Sequence, residues 1–214
     1  MKILLSFLLV AASCYCLAQT DANLVAAGDW SKPVSDAGIA IRGRLLVYDD
    51  QAGDAYNLAR IYLELQRVPN HPESAYNIDG RGATEVEIYY DPNMGVDNEP
   101  PGLLLELRDE HHHKIPSEGP LMFNGVFTPP YWIILTPDMT VRFRSERLSL
   151  GPDSKPKGLT IMGRMGQWTI PPNATNDYYL HGSFVSTTNH PSPLHYHIWQ
   201  GTLELPPVKI AAKK

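Results

Sequence analysis

The residues best suited to do chemistry are His195 and His197, which stand as His195-Tyr196-His197 near the end of the chain. In an extended strand, residues two apart project from the same face. Both imidazoles could therefore hold one metal ion, with His190 or His181 as a third nitrogen ligand. The same parity also has a plainer meaning. Trp199, Gly201, Leu203 and Leu205 share it, which puts the two histidines at the rim of a core-facing row. A cupin-type site needs a carboxylate soon after its His-x-His, and Glu204 lies too far along and on the opposite parity.

A second concentration of ligand atoms is Asp109-Glu110-His111-His112-His113. Consecutive side chains converge on one ion only with unusual backbone geometry, so this run reads as a solvated loop with at most weak adventitious metal binding. The acidic pairs Asp49-Asp50 and Asp109-Glu110 read as solvated turns. Tyr89, Tyr90, Tyr131, Trp132, Tyr178 and Tyr179 could stack on the apolar faces of sugars, which would make the chain a carbohydrate-binding module. There is no Gly-x-Ser-x-Gly elbow, Gly-rich phosphate loop or His-Glu-x-x-His element. The expectation is a non-enzymatic protein with no catalytic residue and no organic cofactor. A divalent metal on His190, His195 and His197 is the alternative.

These residues sit in a chain that reads as strands almost throughout. Ala59, Ile61, Leu63 and Leu65 alternate with Arg60, Tyr62, Glu64 and Gln66, the period of two of a half-buried strand. A helix there would scatter the apolar residues around its axis, and Pro69 follows at once. Further strands are expected at 39–48, 85–90, 103–108, 131–135, 140–147 and 159–162. Three more close the chain: one ending at Pro171-Pro172, one over 178–186 and one over 195–205. With 19 prolines and 16 glycines punctuating nine or ten short strands, the fold class is an all-β sandwich or barrel.

At the N-terminus, Lys2 precedes an apolar run over 3–12 and then Cys16-Leu17-Ala18. This is the layout of a secretory signal peptide over 1–18, and it implies a secreted or periplasmic protein. The apolar run is about half of the ~20 residues that span a bilayer. A lipid anchor on Cys14 is the rival processing. Removing 18 of 214 residues would leave 196, cysteine-free because Cys14 and Cys16 both go, which rules out thiolate catalysis and Cys-ligated zinc. Lys2 is the only charge lost, so the formal net charge moves from −5 to −6. Nothing resembles the basic stripe that a nucleic-acid backbone demands, and no later apolar run is long enough to cross a membrane. Residues 19–29 read as a short lead, 30–210 as one domain and 211–214 as a flexible tail.

Trp30-Ser31-Lys32-Pro33-Val34 at one end and Trp199-Gln200-Gly201-Thr202-Leu203 at the other resemble secreted bacterial immunoglobulin-like domains, which open near W-x-x-P-V and close with W-x-G-x-L. Trp168-Thr169-Ile170-Pro171 leading to Tyr178-Tyr179-Leu180 is similar to that family's penultimate corner. The resemblance covers about a quarter of the chain. It implies an antiparallel immunoglobulin-like β-sandwich with extended loops. Trp30, Trp168, Tyr178, Leu180, Trp199 and Gly201 would be structural, and Tyr178 or Tyr179 would form a tyrosine corner. It implies a fold far more than an activity, because such folds host many functions; the leading expectation is an interaction or structural role at the cell envelope with a protein partner.

Overall fold

A computed structural model describes residues 23–49, 58–68, 85–90, 102–118, 131–137, 139–144, 159–162, 167–171, 173–188, 192, 194 and 196–210. The fold is all-β and built from several sheets rather than one closed barrel. The described residues form fourteen strands: β1 Leu24–Ala27, β2 Val34–Asp36, β3 Ile39–Asp49, β4 Leu58–Arg67, β5 Val86–Tyr90, β6 Gly102–Arg108, β7 Lys114–Ile115, β8 Tyr131–Leu135, β9 Thr140–Arg144, β10 Leu159–Met162, β11 Gln167–Ile170, β12 Tyr178–Ser186, β13 His197–Ile198 and β14 Gly201–Ile210. The number exceeds the nine or ten expected because β1, β2, β7 and β13 are only two to four residues long, too short to print an alternation on the sequence. β1 falls inside the stretch expected to be a lead.

Sheet I runs β1-β3-β4-β10-β11, with β2 also on β3 and β9 also on β4. Sheet II runs β14-β12-β6-β7, and sheet III runs β13-β5-β8. The ladders are antiparallel with two exceptions, β10 on β4 and β13 on β5, both parallel. This corrects the expectation of a purely antiparallel arrangement. Each exception joins strands far apart in sequence, which no hairpin dictates.

The alternation on β4 is realised. Ala59, Ile61, Leu63 and Leu65 are fully buried and belong to the same core as Leu45 of β3, Phe184 of β12 and Leu203 of β14. Each such leucine, isoleucine or phenylalanine contributes about 2 kcal/mol on burial. Glycines let sheets I and II come close. A Cβ on Gly43 of β3 would lie 3.0 Å from Leu205 and 3.3 Å from Leu203, and one on Gly182 of β12 would lie 3.0 Å from Leu45. Each glycine thus leaves a slot filled by a leucine of the facing sheet.

The expected strand over 195–205 is split. His197 and Ile198 pair with β5 in sheet III, Trp199 and Gln200 cross over, and Gly201 begins β14 in sheet II. β14 then continues to Ile210 through Pro206 and Pro207. These prolines are tolerated because β14 is a sheet edge and the register slips there, Gly182 facing Leu205 while Leu180 faces Val208. The slip also moves the buried parity from Leu203 and Leu205 to Val208 and Ile210.

The W-x-G spacing has a steric cause. Trp199 is fully buried, and a Cβ on Gly201 would sit 2.9 Å from its Cζ2. Gly201→Ala should therefore displace the indole and cost about 1–3 kcal/mol, read as a lowered urea midpoint with an unchanged slope.

Candidate functional site

The site grows from the turn between β2 and β3. Ala37 and Gly38 both take positive φ, 45° and 77°, so Asp36 and Ile39 are joined by a tight two-residue hairpin turn of the I′ kind. That turn fixes Asp36 at the end of sheet I. Its Oδ2 lies 2.8 Å from Nε2 of His197 and accepts the backbone N–H of Gln200 at 2.9 Å. An ionised carboxylate offers only lone pairs, so the Nε2–H of His197 is the donor of this bond. Next to this pair, the Trp199 N–H donates to the carbonyl of Glu87 at 2.9 Å. One carboxylate of sheet I thereby holds both the last residues of sheet III and the lead into sheet II.

On the other side of His197, Tyr196 stands beside Glu85, because His197 pairs with Val86 in parallel register, and the Glu85 carboxylate raises the phenol pKa above its ordinary value. The Tyr196 N–H donates to Oγ of Ser192 at 2.9 Å. Chemically, the Asp36–His197 pair is an oriented imidazole. A carboxylate behind a histidine is also the usual support of a metal-bound one. His190 and His195, the other expected ligands, lie outside the described residues. His181 is placed elsewhere, on β12 of sheet II opposite Glu106. Among the described residues, no three His, Cys, Asp or Glu side chains are grouped to hold an ion.

His111, His112 and His113 form the turn between β6 and β7, as a loop reading expects, and they are exposed. Asp109 organises the turn: its Oδ1 accepts the N–H groups of His111 at 2.9 Å and His113 at 2.8 Å. Desolvation, the largest single influence on Asp109, opposes its ionisation, but these N–H groups and the His113 ring together outweigh it and depress its pKa. Glu106 is likewise depressed, first by its bond to Lys114 and then by Arg108, against partial burial. His181 is shifted down, mainly by desolvation and then by the Arg108 charge, with Glu106 pulling the other way.

The other sequence candidates have defined places. Asp49 is not in a solvated turn but at the end of β3, buried and opposite Ala59. Tyr89 and Tyr90 are buried, with their rings edge-on to Trp132 and Phe143, so they offer no stacking platform. Trp168 is buried and its Nε1–H donates to the Ile115 carbonyl at 3.0 Å. Leu180 is fully buried, and Tyr178 packs on the core. No hydrogen bond of the tyrosine-corner kind is formed by Tyr178 among the described residues.

Trp30 differs from a core tryptophan, because its ring lies against the guanidinium groups of Arg42 and Arg44, 4.8 and 4.5 Å from the ring centre. Behind it, Glu64 is 3% exposed. Its carboxylate pairs with Arg44 on one side and with Arg142 at 2.8 Å on the other. Sequence parity placed Glu64 on the outer face but not its burial. The hint was one acid facing Arg42-x-Arg44 and Arg142-x-Arg144.

No protein-family model, no curated protein and no solved structure matches the chain. Among the described residues, no helix is long and apolar enough to cross a membrane.

Two measurements test the site. Asp36→Ala should destabilise more than His197→Ala, because it also strands the Gln200 N–H. A double-mutant cycle should return a coupling of about 0.5–1.5 kcal/mol. For His181, the depressed folded pKa means that its contribution is complete above the unfolded value of about 6.5 and is lost as pH falls below it. The melting temperature should therefore drop on mild acidification, and His181→Gln should flatten that part of the curve. Losses from Glu106 and Asp109 belong to a lower window, beneath ordinary carboxylate values.

Proposed function

We propose that this chain is an exported, non-enzymatic protein with an immunoglobulin-like sandwich fold, acting in interaction or structure at the cell envelope. The strand order β6-β12-β14 corresponds to the C-F-G order of such domains, with β12 in the middle. The β3–β4 hairpin within one sheet and the two parallel ladders are departures from it.

The observation that carries an interaction role is the segment before His197. Leu194 is 50% exposed and Tyr196 37% exposed, so apolar side chains are presented next to a junction where three sheets are tied together. Binding residues are commonly carried this way, on a connecting segment positioned by a rigid scaffold. The fitting partner is another envelope protein with an apolar surface.

Replacing Leu194 with a photo-crosslinking residue in the source cells should give a protein adduct in the envelope fraction, with the mature chain starting at Gln19. The same residue at the exposed position Thr202 of β14 should give none. A full-length chain in the cytoplasm, or equal labelling from both positions, would sink the proposal.

A further inference from the structure

The side chains of β5 divide between two faces. Val86, Ile88 and Tyr90 enter the core, so Glu85, Glu87 and Tyr89 take the other side. Glu87 is nevertheless fully buried, and neither carboxylate oxygen has a hydrogen-bond partner. Its neighbours across the sheet, Ile198 and Ile134, bring no donor. A carboxylate removed from water with nothing opposite it is very costly, so it calls for a counter-charge.

The surroundings favour a bound cation. Glu85 stands two residues away on the same face, about 7 Å along the strand, within reach of long side chains that lean together. It adds a second negative charge. Tyr196 immediately precedes His197, which pairs with Val86 in parallel register, so it stands beside Glu85 just as Ile198 stands beside Glu87, and a phenol joins two carboxylates at this end of sheet III.

We propose that Glu85 and Glu87, with the Tyr196 hydroxyl beside them, form the seat of a hard divalent cation of the calcium type. The donors are all oxygen, which disfavours zinc and copper. Flexible carboxylate geometry suits calcium better than the strict octahedron of magnesium, and main-chain carbonyls and water commonly complete such a sphere. The proposal does not rest on the interaction role above and stands without it, although Tyr196 belongs to both.

The test is thermal unfolding of the whole chain after dialysis against a chelator, with calcium chloride, magnesium chloride or zinc chloride added back. Calcium should raise the melting temperature of the native sequence by several degrees, with smaller effects from the other two. Glu87→Gln should abolish the calcium shift while melting no lower than the native chain in chelator, since it removes a bare buried charge and keeps the shape. Glu85→Gln should weaken calcium at least tenfold in a titration. No calcium shift in the native chain would overturn the proposal, and an undiminished shift in Glu87→Gln would overturn it by placing the ion elsewhere.

Discussion

The carboxylate of Asp36 is the point on which the arrangement of sheets depends. It sits at a tight turn of sheet I, bonds His197 of sheet III, and accepts the N–H of Gln200 as the chain leaves for sheet II. A strand that changes sheets loses its ladder partners for a residue or two, and the stranded N–H groups must be satisfied elsewhere. Here the Trp199 N–H finds the Glu87 carbonyl and the Gln200 N–H finds Asp36. The crossover is therefore held at both of its residues without regular pairing.

Apolar packing acts on either side of that junction. The inner faces of sheets I and II meet through leucines seated against Gly43 and Gly182, and the Trp199 indole fills the space that a side chain at Gly201 would need. The outer face of sheet I is held differently, by Glu64 between Arg44 and Arg142 and by Trp30 across two guanidinium groups. Half-exposed arginines around a buried acid add less stability than an apolar pair of equal size, because desolvation offsets much of the attraction. What they add in any case is register, since Arg44, Glu64 and Arg142 stand opposite one another across three strands.

The functional proposals rest on different parts of this frame. Exposed Leu194 and Tyr196 bear on a partner, the Asp36–His197 pair on how the segment carrying them is held, and the unpaired Glu87 on an ion. Tyr196 belongs to both settings, as an exposed side chain before His197 and as the neighbour of Glu85.

Much of the strand pattern was legible in the sequence, because alternation needs only a buried and a wet side. Residues 59–66, 131–135, 159–162 and 178–186 carry that imprint, and Pro and Gly mark where it stops. The β-rich class, the burial of Ala59, Ile61, Leu63 and Leu65, and the loop nature of His111 to His113 follow from local chemistry alone. The site was legible only in part: His197 was singled out, while its partner Asp36, 161 residues away, was not. Ion pairs, parallel ladders and sheet crossovers join segments with no short-range signature, so the burial of Glu64, Glu87 and Asp49 and the division of 195–205 between two sheets were decided by tertiary structure. The sequence by itself determined which stretches are strands and which faces of them are apolar. Only the folded chain decided which strands meet and which polar groups are sealed between them, because those depend on contacts between residues that the sequence keeps far apart.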